Sequence, residues 1–317
     1  MRILFTGKNH SQALKDLDPS SLAGAALSRG FESVLSIADN PHVVICVDFQ
    51  KSDLPVIRQA RSRGIKTVLV INEPEVVIPQ HAKLRIRNEF DKVIEVGRPW
   101  TTPILNWPQT WLPVSYRSER LDRVVLVNAD KWSFVSGQHY WLRAAAASKI
   151  KTVDVFGFGW ERSLAFRLAH RIFELWRTIA SRTLPNLKGL SKVLATPSSY
   201  KGSASNKNNA MSNYKVALVV ENSSELLTEK LFDAWFAGCI PVYLGPPVGA
   251  FGIPEHLVVP VKEPTLRSVR VALDAALSVN REVFIQDLDE FLTSNDAAKW
   301  KADVALKAIL RSATEVN

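Results

Sequence analysis

Apolar residues along this chain fall into short continuous runs separated by polar stretches rich in glycine and proline. Residues 3–6, 43–47 and 67–71 are such runs in the first third. Unbroken rather than alternating apolar character suits strands buried on both faces of a sheet. Residues 54–64, between the last two runs, place apolar side chains at helical spacing with basic residues outside. Residues 93–96 predict a further strand. Strands alternating with helices in this way predict a parallel sheet with right-handed crossovers. From Gly97 to Arg120 the pattern breaks down into four prolines and three tryptophans without a period. That stretch predicts a connection between two domains, residues 1–119 and 120–317.

The alternation then resumes. Residues 124–127 predict a strand, 137–148 a helix and 152–156 another strand. Gly157 and Gly159 form a G-x-G after that strand, but Arg162 stands where a dinucleotide fingerprint needs its third glycine. A glycine turn closing the strand accounts for the pair. Residues 163–182 are amphipathic: Leu164, Leu168, Phe173 and Trp176 are apolar, while Arg162, Arg167, Arg171, Arg177 and Arg182 are distributed around them. Such a helix either packs on its own domain or lies on an anionic membrane surface. Residues 196–211, rich in Ser, Asn and Lys, predict a mobile loop, and helices at 266–278 and 297–312 close the chain. The two halves share an αβ pattern; no short repeat occurs.

The most informative stretch runs from Tyr214 to Pro247. Residues 215–220 predict a buried strand, and Thr228 can cap a helix with Glu229 and Lys230 in its first turn. Leu231, Ala234 and Trp235 give that helix an apolar side, and Gly238 ends it. Residues 240–244 predict a second strand, stopped by Gly245-Pro246-Pro247. Ligands of parallel sheets lie beyond the carboxyl ends of the strands. Glu221, Asn222, Ser223, Glu229 and Lys230 would gather there. A lysine adds full charge against a diphosphate, and an ionised glutamate accepts from the two hydroxyls of a ribose. Each also has a plainer role: Lys230 as a solvated cation, Glu229 as a first-turn acid facing the helix dipole.

These residues carry a resemblance. Glu221-Asn222-Ser223, then T-E-K-L-F-D-A from Thr228, then A-G-C-I-P-V-Y-L-G-P from Ala237 resemble the donor-binding motif of glycosyltransferase family 10, the α1,3/4-fucosyltransferases, in their bacterial form. The match covers residues 200–247, with weaker echoes reaching Asn128 and Glu73. The resemblance implies an α/β fold of two Rossmann-like domains facing a cleft (GT-B type), with the acceptor domain first and the donor domain second. It assigns Glu229 to the nucleotide ribose, Lys230 to the phosphates and Asn222 to a further donor contact. Glu221 either joins them or braces the loop. Arg143 matches an arginine that binds the departing diphosphate, one whose planar fork suits that charge, although the family places it nearer the helix start. Lys201, in Tyr200-Lys201-Gly202, and Lys207 are expected to add positive charge near the donor. Inverting transfer needs a base, and Glu73 in Asn72-Glu73-Pro74-Glu75 matches, with Glu75 in reserve. Two departures bear on which sugar moves: the segment between E-N-S and T-E-K is two residues shorter than in some bacterial relatives, and Leu226 replaces an aromatic.

The implied activity is transfer of L-fucose from GDP-fucose to a glycan hydroxyl, in lipopolysaccharide or other surface-glycan synthesis, including glycans on protein. Its partners would be a nucleotide-sugar donor and an oligosaccharide or glycolipid acceptor. Another nucleotide sugar is the nearest alternative. A non-catalytic nucleic-acid-binding protein is the alternative suggested by charge, 40 basic against 31 acidic residues and a net +9 over 317 residues. The basic residues are scattered and form no nucleic-acid motif, so no nucleic-acid partner is expected. Composition, 46% hydrophobic and 22% charged, is that of a globular protein. Cys46 and Cys239 lie inside apolar runs and read as buried hydrophobes. No D-x-D motif lies in a suitable loop, so neither metal nor cofactor is expected beside the donor substrate. No secretory signal and no membrane-spanning run is visible. The expected location is cytoplasmic, with peripheral contact at the inner membrane face as an open alternative.

Overall fold

The computed structural model describes residues 1–8, 24, 26, 29–99 and 111–315, without the side chains of residues 302 and 303. Two compact units emerge, residues 1–111 with 298–317, and residues 112–297.

The first unit is built on strands β1 (Arg2–Thr6), β2 (Glu32–Val34), β3 (Val43–Val47), β4 (Lys66–Ile71) and β5 (Lys92–Glu95), with helices α1 (Leu54–Ser62) and α2 (Leu84–Arg87). All neighbours pair in parallel, in the order β2-β1-β3-β4-β5. The unbroken apolar run of β3 serves both faces. Val43, Ile45 and Val47 join one core cluster, while Val44 and Cys46 join another with Ile57 and Ala60 of α1.

The second unit holds β6 (Leu121–Val127), α3 (Tyr140–Lys149), β7 (Val153–Phe156), α4 (Leu164–Ala180), α5 (Lys207–Met211), β8 (Tyr214–Val220), α6 (Lys230–Phe236), β9 (Ile240–Leu244), β10 (Val259–Pro260), α7 (Leu266–Leu277) and α8 (Arg281–Thr293), and α9 (Asn295–Ala298) falls at the division. Its five strands are again all parallel, ordered β10-β9-β8-β6-β7. Counted in chain order within each unit, both sheets read second, first, third, fourth, fifth. Each therefore reverses direction between its first and third strands, and ligands of such sheets bind outside the carboxyl ends at that point. Gly157 ends β7 at φ 143°, and a Cβ there would fall 2.2 Å from the Asn128 carbonyl oxygen. Close backbone approach, not a dinucleotide loop, explains that glycine.

Three expectations need correction. The division comes slightly before the expected 119/120 boundary. The last helix, α10 (Ala302–Thr314), belongs to the first unit, because Leu306, Ile309, Leu310 and Ala313 pack into the cluster of Ile3, Ile45 and Val68. Residues 196–211 include an ordered bridge from Tyr200 to Val155 and the helix α5, capped by the Asn206 side chain. Helix α8 was not anticipated; its start is fixed by the Asn280 side chain, which accepts from the amides of Glu282 and Val283.

Helix α4 does pack on its own domain, but with its polar side. Arg167, Arg171, Glu174 and Thr178 are buried, at the spacing of a core-facing seam. Both arginines converge on the buried Asp130 carboxylate, Arg167 Nε at 2.6 Å and Arg171 through Nη2. They also donate to the Ala195 and Val193 carbonyls at 2.7 and 3.1 Å. The apolar side of α4 is left exposed: Leu164, Leu168, Ile172, Phe173, Trp176 and Ile179. No helix among the described residues is long and apolar enough to cross a membrane.

Candidate functional site

Strand β8, the third of its sheet, ends at Val220, and the next residue, Glu221, is completely buried. A buried carboxylate needs partners for its charge. Glu221 Oε1 accepts the Thr228 amide at 2.8 Å, and Oε2 accepts the Thr228 hydroxyl at 2.7 Å. The Lys230 ammonium lies 3.4 Å from the same Oε2 and donates to Thr228 Oγ1 at 2.8 Å. This clasp folds residues 221–230 back on themselves, so that the end of β8 and the start of α6 meet. Gly245 makes room for it: a Cβ there would fall 2.7 Å from Glu221 Cγ and 2.2 Å from Tyr243 Oη. Burial, with the Glu221 charge beside it, pushes the Tyr243 phenol well above its ordinary value, so it stays neutral.

Lys230 is the first residue of α6, and Glu229 precedes it as N-cap without a side-chain cap bond. Thr228, expected as the cap, does accept the Lys230 amide at 3.4 Å, but its hydroxyl proton goes to Glu221. Glu229 Oε1 stands 3.9 Å from the Lys230 ammonium, and both side chains keep an exposed portion, 26% and 22%. A cation and a carboxylate are thus presented side by side, with a second, buried carboxylate fixing the cation from below.

Arg143, on α3, reaches the same strand end. Its Nε donates to the Val220 carbonyl at 2.9 Å, and its Nη2 donates to that carbonyl and to Asn222 Oδ1, the latter at 2.9 Å. The guanidinium also lies 4.8 Å over the Tyr140 ring. Burial lowers its pKa, with Tyr140, Glu221 and Glu229 opposing. Among the described residues no carboxylate lies within 4 Å of it. His139, the residue immediately before α3, donates its amide to the Asn222 carbonyl at 3.0 Å and approaches Ser224 Oγ through Nε2 at 3.2 Å. Burial and the neighbouring Arg143 charge lower the imidazole to about 4, so it is neutral at physiological pH. Ser223 is buried, its hydroxyl accepting the Glu225 amide at 3.4 Å.

The other two lysines separate. Lys207 opens α5 and pairs with Asp233 at 3.3 Å, one turn along α6 from Glu229, which keeps it beside the site. Lys201 lies 3.7 Å from Asp154, which also holds Arg123 and the Tyr214 hydroxyl. That cluster is distinct from the Glu221 clasp.

The first unit has its own buried acid at the corresponding place. Asp48 follows β3, is fully buried at φ 57°, and its Oδ1 accepts the amides of Asn72 and Glu73 at 2.9 and 2.8 Å. Burial raises its pKa, against the lowering effect of those two amides. Glu73, held by this bond, is partly exposed, and its carbonyl meets His81 Nδ1 at 2.9 Å. Glu75 is engaged by Arg98 at 2.9 Å and Arg87 at 3.6 Å.

Asp48, His139, Tyr243 and the anchoring role of Thr228 were missed from sequence. Asp48 had one legible signal: an acid directly after an apolar strand, as Glu221 is after Val220. Among the described residues no group of three or more His, Cys, Asp or Glu could hold a metal ion.

No family model matches the chain, and no curated protein matches it in sequence. Solved structures do resemble it. A crystal structure of an α1,3-fucosyltransferase superposes with a TM-score of 0.53 at 15% identity, covering 98% of this chain and 88% of that one. The same figures hold for a crystal structure of α1,3-fucosyltransferase with GDP-fucose. A structure of OtsA without ligand gives 0.51 at 12% identity, covering 93% and 77%. At such identities the likeness shows the fold, two parallel-sheet Rossmann-like domains of the GT-B type.

Proposed function

We propose that this chain is a glycosyltransferase that moves a sugar from a nucleoside-diphosphate donor to an acceptor hydroxyl with inversion, L-fucose from GDP-fucose being the donor the motif favours. The observation that carries this reading is the clasp of Glu221, Thr228 and Lys230 at the end of β8, with Glu229 alongside. An arriving diphosphate offers Lys230 a stronger partner than the 3.4 Å contact to Glu221. Glu229 then takes the ribose hydroxyls, and Arg143 and Asn222 hold the strand end in shape. In the chemical step Glu73 takes the proton of the acceptor hydroxyl. The acceptor oxygen bonds to the anomeric carbon, the bond from that carbon to the diphosphate oxygen breaks, and the nucleoside diphosphate leaves with its new charge facing Lys230. Positioned cations of this kind act where charge develops in the transition state. The acceptor would be a glycan or glycolipid.

A thermal-shift panel of GDP-fucose, GDP and a UDP-sugar tests the reading, since a ligand that binds only the folded state raises the unfolding midpoint. GDP and GDP-fucose should stabilise the wild type and lose that effect in Lys230→Ala. A shift with the UDP-sugar alone would move the chain to another donor. No shift with any nucleotide, together with salt-dependent oligonucleotide binding, would overturn the enzyme reading.

A further inference from the structure

We infer that the exposed side of α4 is a docking surface for an anionic lipid bilayer. Burial on this helix is inverted: its arginines, glutamate and threonine face the protein, while Ile172, Trp176 and Ile179 are 60%, 62% and 55% exposed. Chance does not place so many large apolar side chains on one stripe of a soluble surface. Just past the helix in sequence, Leu184 and Leu187 are also exposed, at 90% and 56%. The helix cannot roll to hide it, because Arg167 and Arg171 are locked onto Asp130 and two backbone carbonyls.

Charge selects the occupant. Between residues 155 and 220 there are ten Lys and Arg against two acids, Glu161 and Glu174. Glu174 is buried and paired with Arg177, and Glu161 accepts the Gly159 amide at 2.8 Å and the Tyr200 hydroxyl at 2.9 Å. Cations flank the stripe along the chain: Arg162 lies 4.7 Å over the Phe166 ring, Arg182 follows the helix directly, and Lys188, next to Leu187, lies 5.1 Å over Trp141. None of these three has a carboxylate within 4 Å among the described residues. An isologous contact with a second copy would bring these flanking cations against their own copies, which like charges oppose. A bilayer with anionic headgroups satisfies both parts, taking the apolar side chains into the acyl boundary and the flanking cations into the headgroups.

Flotation with phosphatidylcholine vesicles, with and without phosphatidylglycerol, tests this on the full chain. Binding should require phosphatidylglycerol and weaken as salt rises. The double variant Ile172→Asp with Trp176→Asp should lose binding by about tenfold or more while keeping its unfolding midpoint, since neither side chain is in the core. Arg182→Glu with Lys188→Glu should lose it by a similar factor through charge alone. Absence of binding at low salt, or equal binding to vesicles lacking phosphatidylglycerol, overturns the inference. So does a concentration-dependent dimer abolished by the Ile172 and Trp176 substitutions without any vesicle binding.

Discussion

Asp48 and Glu221 occupy the same place in two sheets of the same strand order, directly after the third strand and out of reach of solvent. What each one grips differs. Asp48 accepts two backbone amides, with the Asn72 side chain and the Lys8 charge adding to its surroundings, and fixes the segment that carries Glu73. Glu221 accepts an amide and a hydroxyl and adds an ammonium, fixing the segment that carries Lys230. One edge presents an acid, the other a cation with an acid beside it. The shared topology supplies a rigid buried anchor at the carboxyl edge, and the segment tied to that anchor determines the chemistry.

The contrast breaks most readily at the exposed residues. Glu73→Gln should lower transfer by about 10²–10⁴-fold while leaving nucleotide binding unchanged, as removal of a general base does. Unaltered turnover would make the acid edge purely structural. Lys230→Ala should lower the donor-dependent rate by about 10²–10³-fold and should also lower the unfolding midpoint, because it leaves the buried Glu221 carboxylate without its cation.

The anchors respond to pH and to neutral substitution. His139, beside the Glu221 edge, is held neutral, with its folded value near 4 against an ordinary 6.5. The unfolded chain therefore takes up the proton first, so His139's contribution is present above pH 6.5 and is lost as pH falls through about 4. The loss amounts to about 3 kcal/mol at most, and His139→Gln should flatten that part of a denaturation-versus-pH curve. Asp48 runs the other way. Burial raises its folded value, so its contribution is present below the ordinary carboxylate range and is lost as pH rises through the raised value. Asp48→Asn should accordingly change stability at neutral pH by less than about 1 kcal/mol, whereas Glu221→Gln, which removes the lysine's counter-charge, should cost about 2 kcal/mol in urea unfolding. Equal costs would erase the distinction between the two anchors.

Much of this was legible in the chain because β8, α6 and β9 are local: apolar runs of strand length, a short amphipathic turn and a glycine stop lie within one continuous segment. Gathering Glu221, Asn222 and Lys230 needs only that segment. What periodicity could not give is which partner a face meets. Helix α4 has a large apolar stripe, and sequence alone suggests that such a stripe packs inward; only Asp130, far away in the chain, reveals that the polar side is the buried one. Helix α10 was predicted as a helix, but its packing beside β1, β3 and β4 depends on contacts across almost the whole sequence. Lys201 sat in a motif match, yet Asp154, on the neighbouring strand, takes it to another cluster.

The most direct measurement is a crystal structure of the protein soaked with GDP. The nucleotide should place a phosphate oxygen about 2.7–3 Å from the Lys230 ammonium, with its ribose hydroxyls on Glu229. Nucleotide bound elsewhere, with Lys230 still resting on Glu221, would contradict the assignment of this strand end as the donor site.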